Sequence, residues 1–341
     1  MCGVTNPVSR PTLVDVARAA GVSRATASRV MAGNESVRAD LAQRVAAAAE
    51  RLNYRTNTAA RALRRGASGS IALIAPSSHL DGFLGPFVGA PLQGASAVLF
   101  DRALQPVLLL DDGRNSAPLI RHLSSGHVDA AVVILHSESE PLYRELDEAS
   151  IPVIYVGHPT VELDPGRSFV DCDHYGGARM AVRALLEAGR RHIAMIGGPP
   201  SYFPAAERVR GFQNELDEWG VSPGPAAHGD FEMPSGSRAA AQLMRRMPDI
   251  DGLFVANDLM AVGALRVIEA SGRRVPDDVS IVSYDDTVVA ETADPPLTSV
   301  RQPFRDMGAR AAEMALDSLV NPQDYPRHVL LPTTLTVRES V

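Results

Sequence analysis

The sequence predicts an N-terminal all-α helix-turn-helix head, followed by a larger α/β core of two doubly wound lobes. The first observation behind this division is charge: residues 1–66 carry eleven Arg and four acidic residues, a net charge of +7, whereas the rest of the chain has a net charge of −14. The second is a helix-glycine-helix pattern in the basic part, and the third is an alternation of apolar runs with helical segments in the acidic part. With 341 residues, the chain is long enough for two or three domains.

The head begins with a short predicted helix in the segment PTLVDVARAAG. Thr12 is its expected N-cap, Asp15 stands where a capping box needs an acceptor, and Gly21 ends the helix. Ser23 then starts a second helix over residues 24–31. A third helix is expected from about residue 39 to residue 53, because its apolar residues recur at helical spacing.

The second helix carries a polar face that packing does not require. Val22, Ala27, Val30 and Met31 are spaced to pack against the first helix. Small residues and arginines on the remaining face would let the helix enter a DNA major groove, where Arg reaches guanine edges or phosphates. On the helices alone, a solvated amphipathic helix with incidental arginines accounts for the pattern equally well. The outward residues are Arg24, Ala25, Thr26, Ser28 and Arg29.

The core alternates buried-strand runs with Ala-rich helical segments, which is typical of parallel doubly wound sheets. Such sheets present ligand-contacting groups at the carboxyl ends of their strands, so the polar residues that close each run are candidates for a binding site. Each of them also has an ordinary alternative, because Asp and Asn after a strand often cap the next helix. The predicted strand runs cover residues 71–76, 105–112, 128–136, 151–157, 168–173, 191–198, 252–258 and 279–286.

The sequence gives little support for an enzyme. Asp171, Cys172, Asp173 and His174 are chemically suited to a metal or a Cys-His nucleophile, but neighbouring side chains on a strand point to opposite faces, so we expect that they cannot all converge. The glycines at 197 and 198 do not form the phosphate loop that a head fused to a sugar kinase would need. We therefore predict a protein that is not an enzyme and that uses no cofactor and no metal.

The cysteine content, the apolar runs and the first residues of the chain indicate its cellular compartment. It has only two cysteines, Cys2 and Cys172, and no apolar run near the roughly 20 residues that span a bilayer. Its first residues, MCGVTNPVSRPT, have neither the basic nor the apolar region of a secretory signal. We expect a cytoplasmic protein that does not contact a membrane.

The segment PTLVDVARAAGVSRATASRVMAGNESVRADLAQRVAAAAERLNYRTNTAARAL resembles the head of the LacI/GalR family of bacterial transcription regulators. The core segments VDCDHYGGARMAVRALLEAGRRHIAMIGG, ERVRGF, LFVANDLMAVGAL and RVPDDVSIVSYDD resemble the core of the same family, which is similar to periplasmic sugar-binding proteins. The resemblance implies a helix-turn-helix domain over residues 1–56, a hinge helix and linker over 57–69, and a core over 70–341. It further implies that lobe 1 covers about 70–172 plus 303–328, and lobe 2 about 175–299 plus 332–341.

The resemblance also implies roles in DNA binding. Arg24, Ala25 and Arg29 match base-reading positions. The hinge helix, which Asn57 can cap, would pair with that of a second subunit and insert Leu63 into the minor groove. The alternative is a linker in which Leu63 packs on the core. The positions that match backbone-contacting residues are Thr12, Ser23, Thr26, Ser28, Asn34 and Tyr54.

For the core, the resemblance implies an effector site between the lobes. Arg, Asp and Asn side chains beside an aromatic ring suit a sugar, while a purine is the alternative because the same ring can stack on a base. Gly157 stands where sugar binders of the family often carry Asp. The matching residues are Arg208, Phe231, Asn257 and Asp285, with Leu80 and Phe83 in a loop of the first lobe and Asp173 at a strand end.

Together these features predict a ligand-responsive homodimeric repressor that binds a palindromic double-stranded DNA operator and controls carbohydrate-utilisation genes. A regulator that responds to a purine or another small metabolite is the first alternative. A solute-binding transport protein would share the core, but it would need an export signal and would have no use for the basic head.

Overall fold

The computed structural model describes residues 11–32, 34, 36–54, 67–77, 85–134, 140–159 and 166–341. These residues form two compact units that divide after Ser68. Within the described ranges, no helix is both long enough and apolar enough to cross a membrane.

The first unit is a bundle of three helices: α1 (Leu13–Ala20), α2 (Arg24–Met31) and α3 (Ala39–Arg51). The predicted capping box is present, since the Thr12 side chain accepts from the backbone of Asp15 and the Asp15 carboxylate accepts from the backbone of Thr12. Gly21 has a left-handed φ of 59°, and a side chain there would collide with the guanidinium of Arg44. The core of this unit is formed by Val16, Ala17, Ala20, Ala27, Val45, Ala48 and Ala49.

The second unit contains two sheets of six strands, with the orders β11-β5-β4-β3-β1-β2 and β12-β10-β9-β8-β6-β7. All pairings are parallel except that of β12 with β10. The order 2-1-3-4-5 therefore occurs twice, once in each lobe, with one extra strand at the edge. Eight of the twelve strands fall on the runs predicted from the sequence; the others, β7, β10, β11 and β12, have only three or four residues each.

The first sheet is built from β1 (Ser70–Pro76), β2 (Gln105–Asp111), β3 (Ala130–Ile134), β4 (Val153–Val156), β5 (Ser168–Cys172) and β11 (His328–Leu331). Its helices are α4 (Gly85–Asp101), α5 (Ala117–Ser124), α6 (Glu140–Asp147) and α12 (Phe304–Val320), and a 3-10 turn at Pro322–Asp324 follows α12. Two apolar clusters, one around Ile71 and one around Leu123, form the core of this lobe.

The second sheet is built from β6 (Ile193–Gly197), β7 (Ala226–His228), β8 (Gly252–Val255), β9 (Ser280–Asp285), β10 (Thr298–Arg301) and β12 (Thr334–Thr336). Its helices are α7 (His174–Glu187), α8 (Phe203–Glu218), α9 (Met233–Arg246), α10 (Asp258–Ala270) and α11 (Val288–Thr292). Its two clusters centre on Leu265 and Phe212.

The chain passes between the sheets three times. It leaves the first sheet after β5 to enter α7, returns from β10 to α12, and crosses again between β11 and β12. The first two crossings bring Cys172, His174 and Gln302 to the same region between the lobes, where the Cys172 thiol lies 3.1 Å from the Gln302 side-chain oxygen.

A close approach of α7 and α8 positions the polar residues of this region. A side chain at Gly211 of α8 would lie 2.5 Å from the carbonyl oxygen of Tyr175, so only glycine allows this distance between the helices. As a result, His174 at the start of α7 contacts Arg208 of α8.

Candidate functional site

The outward face of α2 is organised as the sequence predicts. Arg24, Ala25 and Arg29 are exposed, whereas Ala27 is fully buried in the head. Ser23 caps the helix by accepting from the backbone N–H of Thr26 at 3.1 Å. Two arginines and a small residue therefore project from a short, capped helix, which is the form that a major groove accepts.

Several of the predicted phosphate-contacting residues also have local roles. The Thr12 hydroxyl donates to the Asp15 carboxylate at 2.7 Å, and the Ser23 and Thr26 hydroxyls lie 2.9 Å apart. Asn34 accepts from the backbone N–H of Ser36 at 2.9 Å. Ser28 is half-buried, and Tyr54 packs against the core of the head. These contacts stabilise the head itself, so contact with phosphate stays a prediction for all six residues.

Four predicted site residues lie outside the described residues. They are Asn57 and Leu63 of the hinge segment, and Leu80 and Phe83 of the first lobe.

Between the lobes, Arg208 is the centre of a buried polar cluster. It is 4% exposed, and one of its terminal nitrogens donates to the carbonyl oxygen of Ala256 at 2.5 Å. Its guanidinium carbon lies 3.8 Å from the ring centroid of Tyr284, in cation–π contact. Among the described residues, its Nε has no hydrogen-bond partner, and neither has the Tyr284 hydroxyl. The Nε of Arg208 is thus a donor that a polar ligand could satisfy, whereas the Tyr284 hydroxyl lies beside Gly177 of α7.

Asp285 lies beside Arg208 at the carboxyl end of β9. Its Oδ1 accepts from the Gln302 side chain at 2.6 Å and is 3.9 Å from a terminal nitrogen of Arg208. The pKa of Asp285 is raised to about 8, chiefly by burial. Arg208 and the hydrogen bond from Gln302 act to lower it, and the charge of Asp258 acts to raise it. This carboxyl group therefore stays largely protonated at neutral pH unless a ligand or a movement changes its surroundings.

Phe231 and Asn257 are coupled to each other. The Asn257 side chain accepts from the backbone N–H of Met260 at 2.9 Å, which caps α10, and it donates to the carbonyl oxygen of Phe231 at 2.8 Å. Phe231 has a φ of 68°, a strained value for a bulky residue, and its ring lies edge-on to Tyr202. Asp285 also has a positive φ, of 104°. Strained backbone concentrated at two predicted ligand residues is typical of a functional site.

Three of the four side chains in the run 171–174 converge and Asp173 stays apart, so the four do not all converge, as expected, but strand alternation did not predict the group of three. The ligand atoms of Asp171, Cys172 and His174 all lie within 4.8 Å of one another. The strand alternation behind that expectation ends at Cys172, and the chain turns into α7, which carries the ring of His174 back toward Asp171. The Asp171 carboxylate also turns to accept from the backbone N–H of Cys172 at 2.8 Å.

These three side chains are nevertheless not arranged around one point. The Cys172 sulfur is 3.5 and 3.7 Å from the two ring nitrogens of His174, so it lies on the lone-pair axis of neither. The Nε2 of His174 is directed at Asp171, at 3.1 Å. Burial raises the pKa of the Cys172 thiol well above its usual value, which keeps it protonated as a donor to Gln302. The arrangement is a hydrogen-bonded network.

Asp173, which the sequence placed among the ligand residues, is exposed and caps α7 through the backbone N–H of Gly176, at 2.7 Å. Three residues of the cluster were not predicted: His174 as a partner of Arg208, Tyr284 beneath its guanidinium, and Gln302 on Asp285. Tyr284 immediately precedes Asp285, and Gln302 follows β10, so both lie at strand ends, the same signal that predicted Asp285.

The comparisons with known proteins agree with both parts of this architecture. Residues 12–57 match the family described as bacterial regulatory proteins, lacI family, and residues 182–341 match the periplasmic binding protein-like domain. The HTH-type transcriptional regulator CelR of Thermobifida fusca is 39% identical over 97% of this chain and 98% of its own length.

Two solved structures extend the comparison. A complex of the transcriptional regulator CelR with cellobiose has a TM-score of 0.74 and 38% identity, over 97% of this chain and 100% of that one. The lac repressor dimer bound to operator and the anti-inducer ONPF has a TM-score of 0.83 and 27% identity, over 97% of this chain and 99% of that one. The chain therefore belongs to the lacI family of bacterial regulatory proteins, DNA-binding transcriptional regulators that respond to small-molecule effectors.

Proposed function

We propose that this protein is a homodimeric repressor of carbohydrate-utilisation genes that binds a palindromic operator and responds to a sugar. The exposed side chains of Arg24, Ala25 and Arg29 on the capped helix α2 support base reading. A dimer presents two such helices related by a two-fold axis, which requires two inverted half-sites in the operator. Because the proposed operator is cellular DNA, the proposal includes a cytoplasmic location.

We further propose that six residues of the head contact DNA phosphates: Thr12, Ser23, Thr26, Ser28, Asn34 and Tyr54. In the hinge segment, 57–69, we assign Asn57 to the cap of the hinge helix and Leu63 to the minor groove. The core over 70–341 would serve for effector binding and dimerisation.

The observation that carries the effector proposal is the buried cluster between the lobes. Arg208 supplies a charged group, Asp285 a largely protonated carboxyl and Asn257 an amide. Phe231 supplies an apolar ring face within the same region. A guanidinium donates hydrogen bonds to adjacent hydroxyls, a protonated carboxyl both donates and accepts them, and a ring face covers the C–H patches of a sugar. The cellobiose bound by the related CelR regulator makes a β-linked disaccharide the first ligand to test.

The test is isothermal titration of the purified protein with cellobiose, ribose and hypoxanthine. Saturable binding of cellobiose or ribose, without binding of hypoxanthine, is the expected result. Binding of hypoxanthine alone would replace the sugar by a purine stacked on Phe231, and a gel shift that detects no DNA fragment bound by the protein would remove the repressor proposal.

The same cluster should transmit the response. A ligand shifts the DNA-binding equilibrium only by the difference in its affinity for the two lobe arrangements, and a ~100-fold preference contributes about 2.7 kcal/mol per site. Arg208→Ala and Asp285→Ala should each abolish the effect of the sugar on operator affinity, while the unliganded variants still bind the operator. Variants that respond as the parent does would show that the sensing site lies elsewhere.

A further inference from the structure

We propose that Asp171 and His174 are positioning residues of this site: together they orient the guanidinium of Arg208 and connect it to strand β5 of the first lobe. The inference rests on the proposed function, because Arg208 is taken to contact the effector. The Nδ1 of His174 lies 3.3 Å from a terminal nitrogen of Arg208, and its Nε2 lies 3.1 Å from Asp171 Oδ1.

These two contacts require a single tautomer. A guanidinium can only donate, so the Nδ1 of His174 must accept with its lone pair. The proton of the neutral ring is then on Nε2, which is the atom that faces the carboxylate of Asp171. That carboxylate also accepts from the backbone N–H groups of Cys172 at 2.8 Å and His158 at 2.9 Å. Asp171 is thus an ionised acceptor, and each hydrogen bond in the sequence Asp171, His174, Arg208 has a defined direction.

The network joins the two lobes. Asp171 belongs to β5 of the first sheet, whereas Arg208 lies on α8, which flanks the second sheet. The backbone N–H of His158 binds the other oxygen of Asp171, and the His158 ring stacks on Phe203 at the start of α8, with centroids 3.7 Å apart. Asp171 is therefore connected to α8 in two ways, through His174 to Arg208 and through His158 to Phe203. A rotation of α8 against β5 would have to break or reorganise them.

Two substitutions separate the orienting role from the connecting role. In His174→Asn, the side-chain oxygen can occupy the position of Nδ1 and accept from Arg208, but the group directed at Asp171 is lost. In His174→Gln, the amide can reach the position of Nε2 and donate to Asp171, but no acceptor faces Arg208. The variants are matched, because both replace the ring by a neutral amide at the same buried position.

The experiment measures cellobiose affinity by titration and operator affinity with and without cellobiose, for the parent and both variants. His174→Gln should weaken cellobiose binding about tenfold or more, as expected when a hydrogen bond to a charged group is lost. His174→Asn should bind cellobiose within a few-fold of the parent, but the ratio of its operator affinities with and without the sugar should move toward one. Thermal unfolding and operator binding without sugar show whether each variant folds.

Nitrogen NMR of the histidine-labelled parent protein tests the tautomer without any ligand, with the His174→Asn spectrum identifying the signal. A protonated Nε2 and a bare Nδ1 are expected. Protonation at Nδ1, or equal cellobiose affinities for the two folded variants, would overturn the inference. If the parent binds no cellobiose, the sugar proposal fails, and the nitrogen shifts alone decide whether His174 orients Arg208.

Discussion

Asp285 and Asp286 are adjacent at the end of β9, yet their carboxylates lie in opposite electrostatic surroundings. Asp285 is buried beside Gln302 with Arg208 at 3.9 Å. Asp286 is held by two other arginines, since one oxygen is 2.7 Å from Arg301 and the other 2.6 Å from Arg338. Both residues have a positive φ, of 104° and 55°, which turns their side chains away from the strand alternation. The pKa of Asp285 is raised, chiefly by burial, whereas the pKa of Asp286 is lowered because its hydrogen bonds outweigh the effect of burial.

The first prediction concerns the pH dependence of stability. The pKa of Asp285 is raised to about 8 from 3.8, so between these values the native state retains a proton that the unfolded state loses. Stability from the protonated form is complete below pH 3.8 and declines as the pH rises toward 8. Asp285→Asn keeps a neutral group there, so the Tm of the variant relative to the parent should rise across this interval and level off above it.

Asp286→Asn is the matched control for that measurement. Burial acts to raise the pKa of Asp286, but hydrogen bonds from Thr336, Arg338 and Arg301 outweigh it and lower the value. Its contribution to stability is therefore present above the ordinary pKa of 3.8 and is lost as the pH falls through the lowered value. The Tm of this variant should fall furthest below that of the parent at neutral pH. Parallel pH profiles for the two variants would contradict the assignment of opposite surroundings.

The second prediction tests the contact of α7 with α8. Gly211→Ala would place a methyl group 2.5 Å from the carbonyl oxygen of Tyr175, and such overpacking costs about 1–3 kcal/mol. Gly89 lies inside a helix too, but nothing is within 4 Å of an added side chain. Gly89→Ala should instead stabilise the protein by about 0.5–1 kcal/mol. Urea unfolding of both variants measures the difference, and equal changes would show that the helices are not in tight contact.

The third prediction concerns base reading. Arg24→Ala should reduce the free energy of specific operator binding by about 1–3 kcal/mol and relax one symmetric base position, most simply a G. Arg121→Ala, which removes an exposed arginine of the core, is the control and should leave base preference unchanged. Operator selection from a randomised pool measures both. Unaltered base preference for Arg24→Ala, or a footprint on a single asymmetric half-site, would count against the assignment.

The fourth prediction concerns the hinge segment and comes from the sequence. If Leu63 enters the minor groove, Leu63→Ala should weaken specific binding and reduce DNA bending, because the apolar wedge that unstacks a base step is lost. Dimerisation and cellobiose affinity should remain as in the parent. Circularly permuted operator fragments in a gel-shift assay report the bend, and equal bending by variant and parent would exclude the wedge.

Local features made much of the fold predictable. The capping box of Thr12 and Asp15 and the break at Gly21 are contacts within a few residues, so their sequence spacing is enough to predict them. The buried strands β1, β3 to β6, β8 and β9 were also predictable, because a continuous apolar run between two helical segments is typical of a parallel strand covered on both faces. The run over 105–112 forms β2 as predicted, but β2 lies at the edge of the sheet and exposes Leu108 and Leu110, so the prediction of a buried strand there is wrong. The short strands escaped prediction, since three residues such as Thr334–Thr336 form a strand only through the partner that pairs with them.

The arrangement of the buried polar cluster around Arg208 depended on tertiary structure. Strand position pointed to Asn257 and Asp285, and the family resemblance pointed to Arg208 and Phe231, but neither indicated what each side chain contacts. The Gln302 that binds Asp285 also meets Cys172, which is 130 residues away in sequence, and His174 reaches Arg208 only because Gly211 lets two helices approach. Periodicity encodes which face of an element is buried. The directions of buried hydrogen bonds, and the burial that raises the pKa of Asp285, depend on distant segments that meet only in the folded chain.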